Sequence, residues 1–167
     1  MASVLMLVGC APRTGHVPAD LPATLEARRE IWAAIQPMAA ARGIEPGFVY
    51  AVVKAESNFD PHARSGDGRG LMQIKPECWR AVSSLPYEPT VWDGRANLSV
   101  GIDALAAIKQ SLTAKGVFSY PMLWAGYRYG LVYVGARGFD PSRIPRPSDP
   151  VALELWSGAV HPLAPPL

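Results

Sequence analysis

A chain of 167 residues, 49% hydrophobic and 18% charged, is long enough for one domain with its own core and excludes a disordered polymer. The formal net charge of +2, with no run of Lys or Arg, argues against a nucleic-acid surface, which needs clustered basic residues. His16, His62 and His161 are scattered without ligand spacing, so no metal is expected, and no cofactor is expected either.

The chain opens on "MASVLMLVGCAPRTG", apolar from Ala2 to Val8 and too short to span a bilayer, which takes ~20 residues. It resembles the apolar region of a secretory signal. "LVGC", Leu7 to Cys10, resembles a bacterial lipobox, in which the cysteine carries lipid. On that reading Cys10 is lipidated, residues 1–20 are signal and tether, and Cys78 is an unpartnered core residue. The alternative is an ordinary buried N-terminal segment.

Helical spacing of Leu25, Ile31, Trp32 and Ile35 predicts a first helix, with Thr24 as N-cap, a kink or restart at Pro37 and an end at Gly43. "IEPGFVYAVVKAES" predicts a second, with Pro46 in its first turn and Asp60-Pro61 as its stop. "HARSGDGRG" reads as a polar loop. A helix is expected from Pro76, then a Pro-rich connection, "PYEPTVWDG". The clearest helix follows, with Leu98, Ile102, Leu105, Ile108 and Leu112 on one face and Gly116 at its end. "YPMLWAGYRYG" predicts a shorter one ending at Gly130. Only "LVYVGA" has any strand character. Seven of the 17 prolines fall between Pro141 and Pro166, so an irregular segment, one short helix in "VALELWSG" and a loose tail are expected. The resulting expectation is an all-α domain over residues 21–140 with a Pro-rich extension over 141–167.

The residue that demands explanation is Glu56. It continues the stripe Val49, Val52, Val53 at helical spacing, where an unpaired carboxylate costs several kcal/mol. It is paired, or it faces a cleft, or it stays protonated. Apolar surroundings and the negative end of a helix both push a carboxyl's pKa up, and a neutral glutamic acid can protonate a leaving group. Close by, Gly66, Gly68 and Gly70 let backbone approach a ligand. Gln73 sits among Leu71, Met72 and Ile74, where a buried amide needs partners. Tyr127 and Tyr129 are rings that stack on sugars or fill a core.

Together, "ESNFDPHARSGDGRGLMQIKP", "ANLSVGIDALAAI" and "AGYRYG" resemble the soluble lytic transglycosylase catalytic domain, a lysozyme-like family acting on peptidoglycan. The matching residues are Glu56-Ser57, Asp60-Pro61, Ser65, Gly70-Leu71-Met72-Gln73, Pro76, Asn97, Gly101 and Tyr127. The departure is Arg128, where the family has Asn; a guanidinium cannot replace an amide that both donates and accepts.

The resemblance implies a lysozyme-like all-α fold with long ordered loops. It implies non-hydrolytic cleavage of the MurNAc-β-1,4-GlcNAc bond to a 1,6-anhydro product, with Glu56 as sole acid and base. Ser57, Ser65, Met72, Gln73 and Tyr127 are the implied substrate contacts, with Tyr127 donating to Glu56 or to an acetamido group. The implied partner is the peptidoglycan glycan strand, met by a monomer in the periplasm, held to the outer membrane by lipid on Cys10. A hydrolase would add a second carboxylate about 5 Å away, or about 6.5–9.5 Å away if inverting; Asp60, Asp67 and Glu77 are the nearest in sequence. A goose-type hydrolytic lysozyme and a peptidoglycan-binding scaffold without turnover are the alternatives.

Overall fold

Capping side chains set most helix starts in the computed structural model, which describes residues 9–10 and 23–167. Thr24 accepts from the Ala27 N–H at 3.1 Å and begins α1 (Leu25–Ala41). That helix runs unbroken through Pro37, correcting the expected restart; buried Ile35 and Ala39 anchor it on either side of the proline. Gly43, at φ 62°, then turns the chain. Helix α2 (Pro46–Ser57) takes Pro at its first position and is buried continuously from Gly47 to Val53, as suits a central helix. Its stop comes before Asp60-Pro61: Asn58 and Phe59 both turn left-handed, at φ 53° and 66°. For a residue as bulky as Phe59 that backbone is strained, and its ring is held against Tyr50, with centroids 4.7 Å apart.

The polar loop contains a small hairpin. Strands β1 (Arg64–Ser65) and β2 (Gly68–Arg69) pair antiparallel across a two-residue turn, with Gly66 at φ 52°. Helix α3 (Pro76–Val82) follows, then a 3-10 turn at Thr90–Trp92. Asp93 caps α4 (Gly94–Ala114) by accepting from the Ala96 N–H at 2.7 Å. Ser119 caps α5 (Tyr120–Tyr129). "LVYVG" is helical, α6 (Leu131–Gly135), correcting the strand expectation: it forms a short helix packed on α5. A 3-10 turn at Pro141–Arg143 leads to α7 (Pro150–Ser157), capped by Asp149.

Helix α2 packs between α1 and α7, while α4 packs on α1, α3 and α5. Trp79, Trp124, Tyr127 and Phe48 are the largest side chains of the core between them. The Pro-rich region joins this core through Ile144, Ala152 and Leu155. The architecture is mainly helical, as the lysozyme-like resemblance implies, and among the described residues no helix is long and apolar enough to cross a membrane.

One covalent link overturns two expectations. Cys10 and Cys78 form a disulfide, with Cα atoms 5.3 Å apart. The Cys10 sulfur therefore cannot carry a lipid, and Cys78 has a partner, because each sulfur's bond is already taken. The Cys10 N–H donates to the Tyr127 carbonyl at 2.7 Å and its carbonyl accepts from the Lys75 N–H at 3.2 Å. Gly9 lies so close to the backbone of Arg128 and Tyr129 that a side chain there would collide with it. Residues 9–10 are thus part of the folded domain; the remainder of the expected signal and tether lies outside the described residues.

Candidate active site

Glu56 occupies the last turn of α2 and is only 3% exposed. The stripe that predicted its direction, Val49, Val52 and Val53, is fully buried beside it. The tertiary fold supplies what the sequence left open. Arg128, in the last turn of α5, donates through Nη1 to Oε1 at 2.9 Å and to Oε2 at 3.1 Å. Among the described residues, no other group hydrogen-bonds this carboxylate. Burial raises the pKa of Glu56; Arg128 and, at longer range, Lys75 hold it back, while the Asp149 charge adds to the rise. Burial works against the charge of Arg128, but Glu56 and the Tyr129 side chain together hold its pKa above the ordinary value. The carboxyl is deeper than the guanidinium, so burial dominates on the glutamate side and pairing on the arginine side.

The Gly70–Gln73 segment is held by α4. Asn97, 1% exposed, accepts from the Met72 N–H at 2.9 Å and donates to the carbonyls of Val91 at 2.9 Å and Arg69 at 3.1 Å. One turn on, Gly101 leaves room for the Met72 side chain, which lies where a Cβ would stand. The Asn-to-Gly spacing noted in the sequence is a clamp on this loop.

Several of the residues expected as substrate contacts point inward. The Ser57 hydroxyl donates to the Val53 carbonyl at 3.0 Å and is fully buried. Gln73 is fully buried at φ 49°; its Nε2 donates to the carbonyls of Gly70 at 2.8 Å and Ala63 at 3.0 Å. Those two bonds fix the amide's orientation and leave Oε1 without a partner. Gln73 braces the loop through these two bonds. Tyr127 spends its one hydroxyl proton on the Met72 carbonyl at 2.7 Å, so it does not donate to Glu56. It nevertheless lies near enough that the Glu56 charge adds to burial in pushing its pKa well up. Met72 is fully buried. Ser65 lies half-buried on β1, opposite Gly68.

The carboxylates nearest in sequence are engaged elsewhere or exposed. Asp60 accepts from the His62 N–H at 2.8 Å, and Asp67 and Glu77 are exposed. Asp149, which sequence reasoning missed, is the one whose charge reaches Glu56, but its Oδ1 caps α7 at 2.8 Å from the Ala152 N–H. Beside Arg128 the half-buried rings of Tyr129 and Tyr133 stack with centroids 5.1 Å apart, and Arg137 covers Tyr133 at 3.5 Å. A separate groove of about 420 Å³, between α1 and the start of α4, is lined by Phe59, Leu71, Trp92 and Leu98 and does not include Glu56. No group of three His, Cys, Asp or Glu residues is placed to hold a metal among the described residues.

Residues 33–136, more than half of the chain, match the model of the transglycosylase SLT domain family. No curated protein matches the chain.

Proposed function

From the premise that the chain belongs to the transglycosylase SLT domain family, whose activity is of the peptidoglycan lytic type, we propose that it cleaves the MurNAc-β-1,4-GlcNAc bond without water, using Glu56 as sole acid and base. The observation that carries this reading is a carboxyl 3% exposed at a helix end, with its pKa raised by burial. Neutral Glu56 protonates the bridging oxygen as the C1–O bond breaks. The muramoyl C6 hydroxyl closes on C1 and returns its proton to Glu56, leaving a 1,6-anhydro end. A hydrolase would need a second carboxylate to hold or replace water; the carboxylates expected from the sequence, Asp60, Asp67 and Glu77, are exposed, and Asp149 is committed to the α7 cap. The Cys10–Cys78 disulfide suits an oxidising compartment, which favours work on the periplasmic side of the envelope.

A second reading has its own support. The ion pair with Arg128 favours the anion, which cannot donate a proton, and this suits a scaffold that binds peptidoglycan without cutting it. Digestion of purified sacculi followed by mass spectrometry of the ends separates the readings. The wild type is expected to release anhydro-muramoyl ends and Glu56→Gln none, with fold and wall binding retained. Equal release by the variant removes Glu56 from the chemistry. Reducing ends in place of anhydro ends mean hydrolysis, and binding without new ends means a scaffold.

A further inference from the structure

Among the described residues, the hydrogen bonds to the Glu56 carboxylate all come from one side chain, and that side chain is the more exposed partner. Arg128 is 16% exposed in its side chain against 3% for Glu56, so a strand arriving from solvent meets the guanidinium first. Only Nη1 is engaged with Glu56. A guanidinium carries five N–H donors in a planar fork, and a fork engaged at one nitrogen retains donors for a second carboxylate. The other groups acting on Glu56 offer no such exchange: Tyr127 is committed to Met72, Asp149 to the α7 cap, and Lys75 acts only at longer range. The Tyr129 side chain, on the same turn of α5, adds to the forces that keep the guanidinium charged.

Resting on the reading of Glu56 as the acid, we propose that Arg128 is the specificity-determining residue: it exchanges the Glu56 carboxylate for a carboxylate on the glycan strand, so that the strand's own anion frees the acid. Glu56, left buried without its counter-ion, takes up a proton from the bulk solvent's hydronium or buffer acid and stands ready to donate. A neutral strand gives Arg128 nothing to exchange and leaves the acid locked. The carboxylate is either the lactyl group of a muramoyl residue stripped of peptide or one carried by a peptide stem.

Three substrates distinguish these sources: stripped strands, stripped strands with the lactyl carboxylates converted to carboxamides, and strands with intact stems. Dissociation constants and cleavage rates are measured for wild type, Arg128→Asn and Arg128→Lys. The wild type is expected to bind and cleave at least one carboxylated strand about tenfold better than the amidated strand. Arg128→Asn is expected to lose that preference, and Arg128→Lys, which keeps a cation if the Asn variant fails to fold, to retain part of it. Preference for stripped strands identifies the lactyl group; preference for stem-bearing strands identifies the stem. An infrared band of protonated Glu56, assigned with Glu56→Gln, is expected to grow when a carboxylated strand binds and not when the amidated one does. No preference in the wild type, or full preference in Arg128→Asn, overturns the proposal. Arg128-dependent carboxylate binding without any cleavage by wild type upholds the exchange while removing the acid role of Glu56, so the two failures are distinct.

Discussion

Replacing Asn97 by alanine removes three hydrogen bonds, one that clamps Met72 in the Gly70–Gln73 loop to α4 and two that tie α4 to the carbonyls of Arg69 on β2 and Val91 in the preceding turn. The buried Met72 N–H loses its acceptor, which costs about 1–3 kcal/mol. The Val91 carbonyl loses a donor, adding about 1 kcal/mol. The Arg69 carbonyl keeps the Ile74 N–H at 3.0 Å and adds little. The sum is about 2–4 kcal/mol, or a fall in Tm of roughly 4–16 °C for a chain of this size. Asn97→Asp tests the geometry: it keeps an acceptor for Met72 but turns a second oxygen toward two carbonyls. It is expected to be at least as destabilised as the alanine variant at neutral pH. Urea denaturation followed by circular dichroism measures both. An alanine variant within about 0.5 kcal/mol of wild type, the ordinary range for a surface change, would refute the clamp.

Two further outcomes follow from pairings elsewhere. Cys78→Ser opens a loop of 68 residues of sequence separation, for which chain entropy gives about 4 kcal/mol. Its Tm is expected to fall, reductant to lower that of the wild type similarly, and reductant to leave the variant unchanged; a reductant-insensitive wild type contradicts the disulfide. The Tyr87 hydroxyl donates to the Ile74 carbonyl at 2.9 Å, and burial pushes its pKa up to about 12 from 10.0. The folded state holds this proton more tightly than the unfolded state. Its stabilising contribution is therefore complete below pH 10.0 and declines as pH rises toward about 12. Tyr87→Phe is expected to lose less stability than the wild type across that window in alkaline denaturation; parallel curves speak against it.

What the sequence determined was local. Period and punctuation placed α2, α4 and α5, and the stripe Val49, Val52, Val53 turned Glu56 inward, because helical geometry links residues three and four apart without reference to the rest of the chain. The glycines marked the bend at Gly66–Arg69, though not that it closes into a hairpin, since pairing depends on a partner's register. Tertiary structure decided who meets whom. Arg128 lies 72 residues from the glutamate it pairs with, and Cys10 lies 68 from Cys78. Nothing in the spacing of either pair announces contact. The inward turn of Ser57 and Gln73 was equally hidden, because a hydroxyl or amide suits a sugar and a backbone carbonyl alike. Only packing decides which it meets: a motif specifies donors and acceptors, and the fold assigns them to protein or leaves them for a ligand.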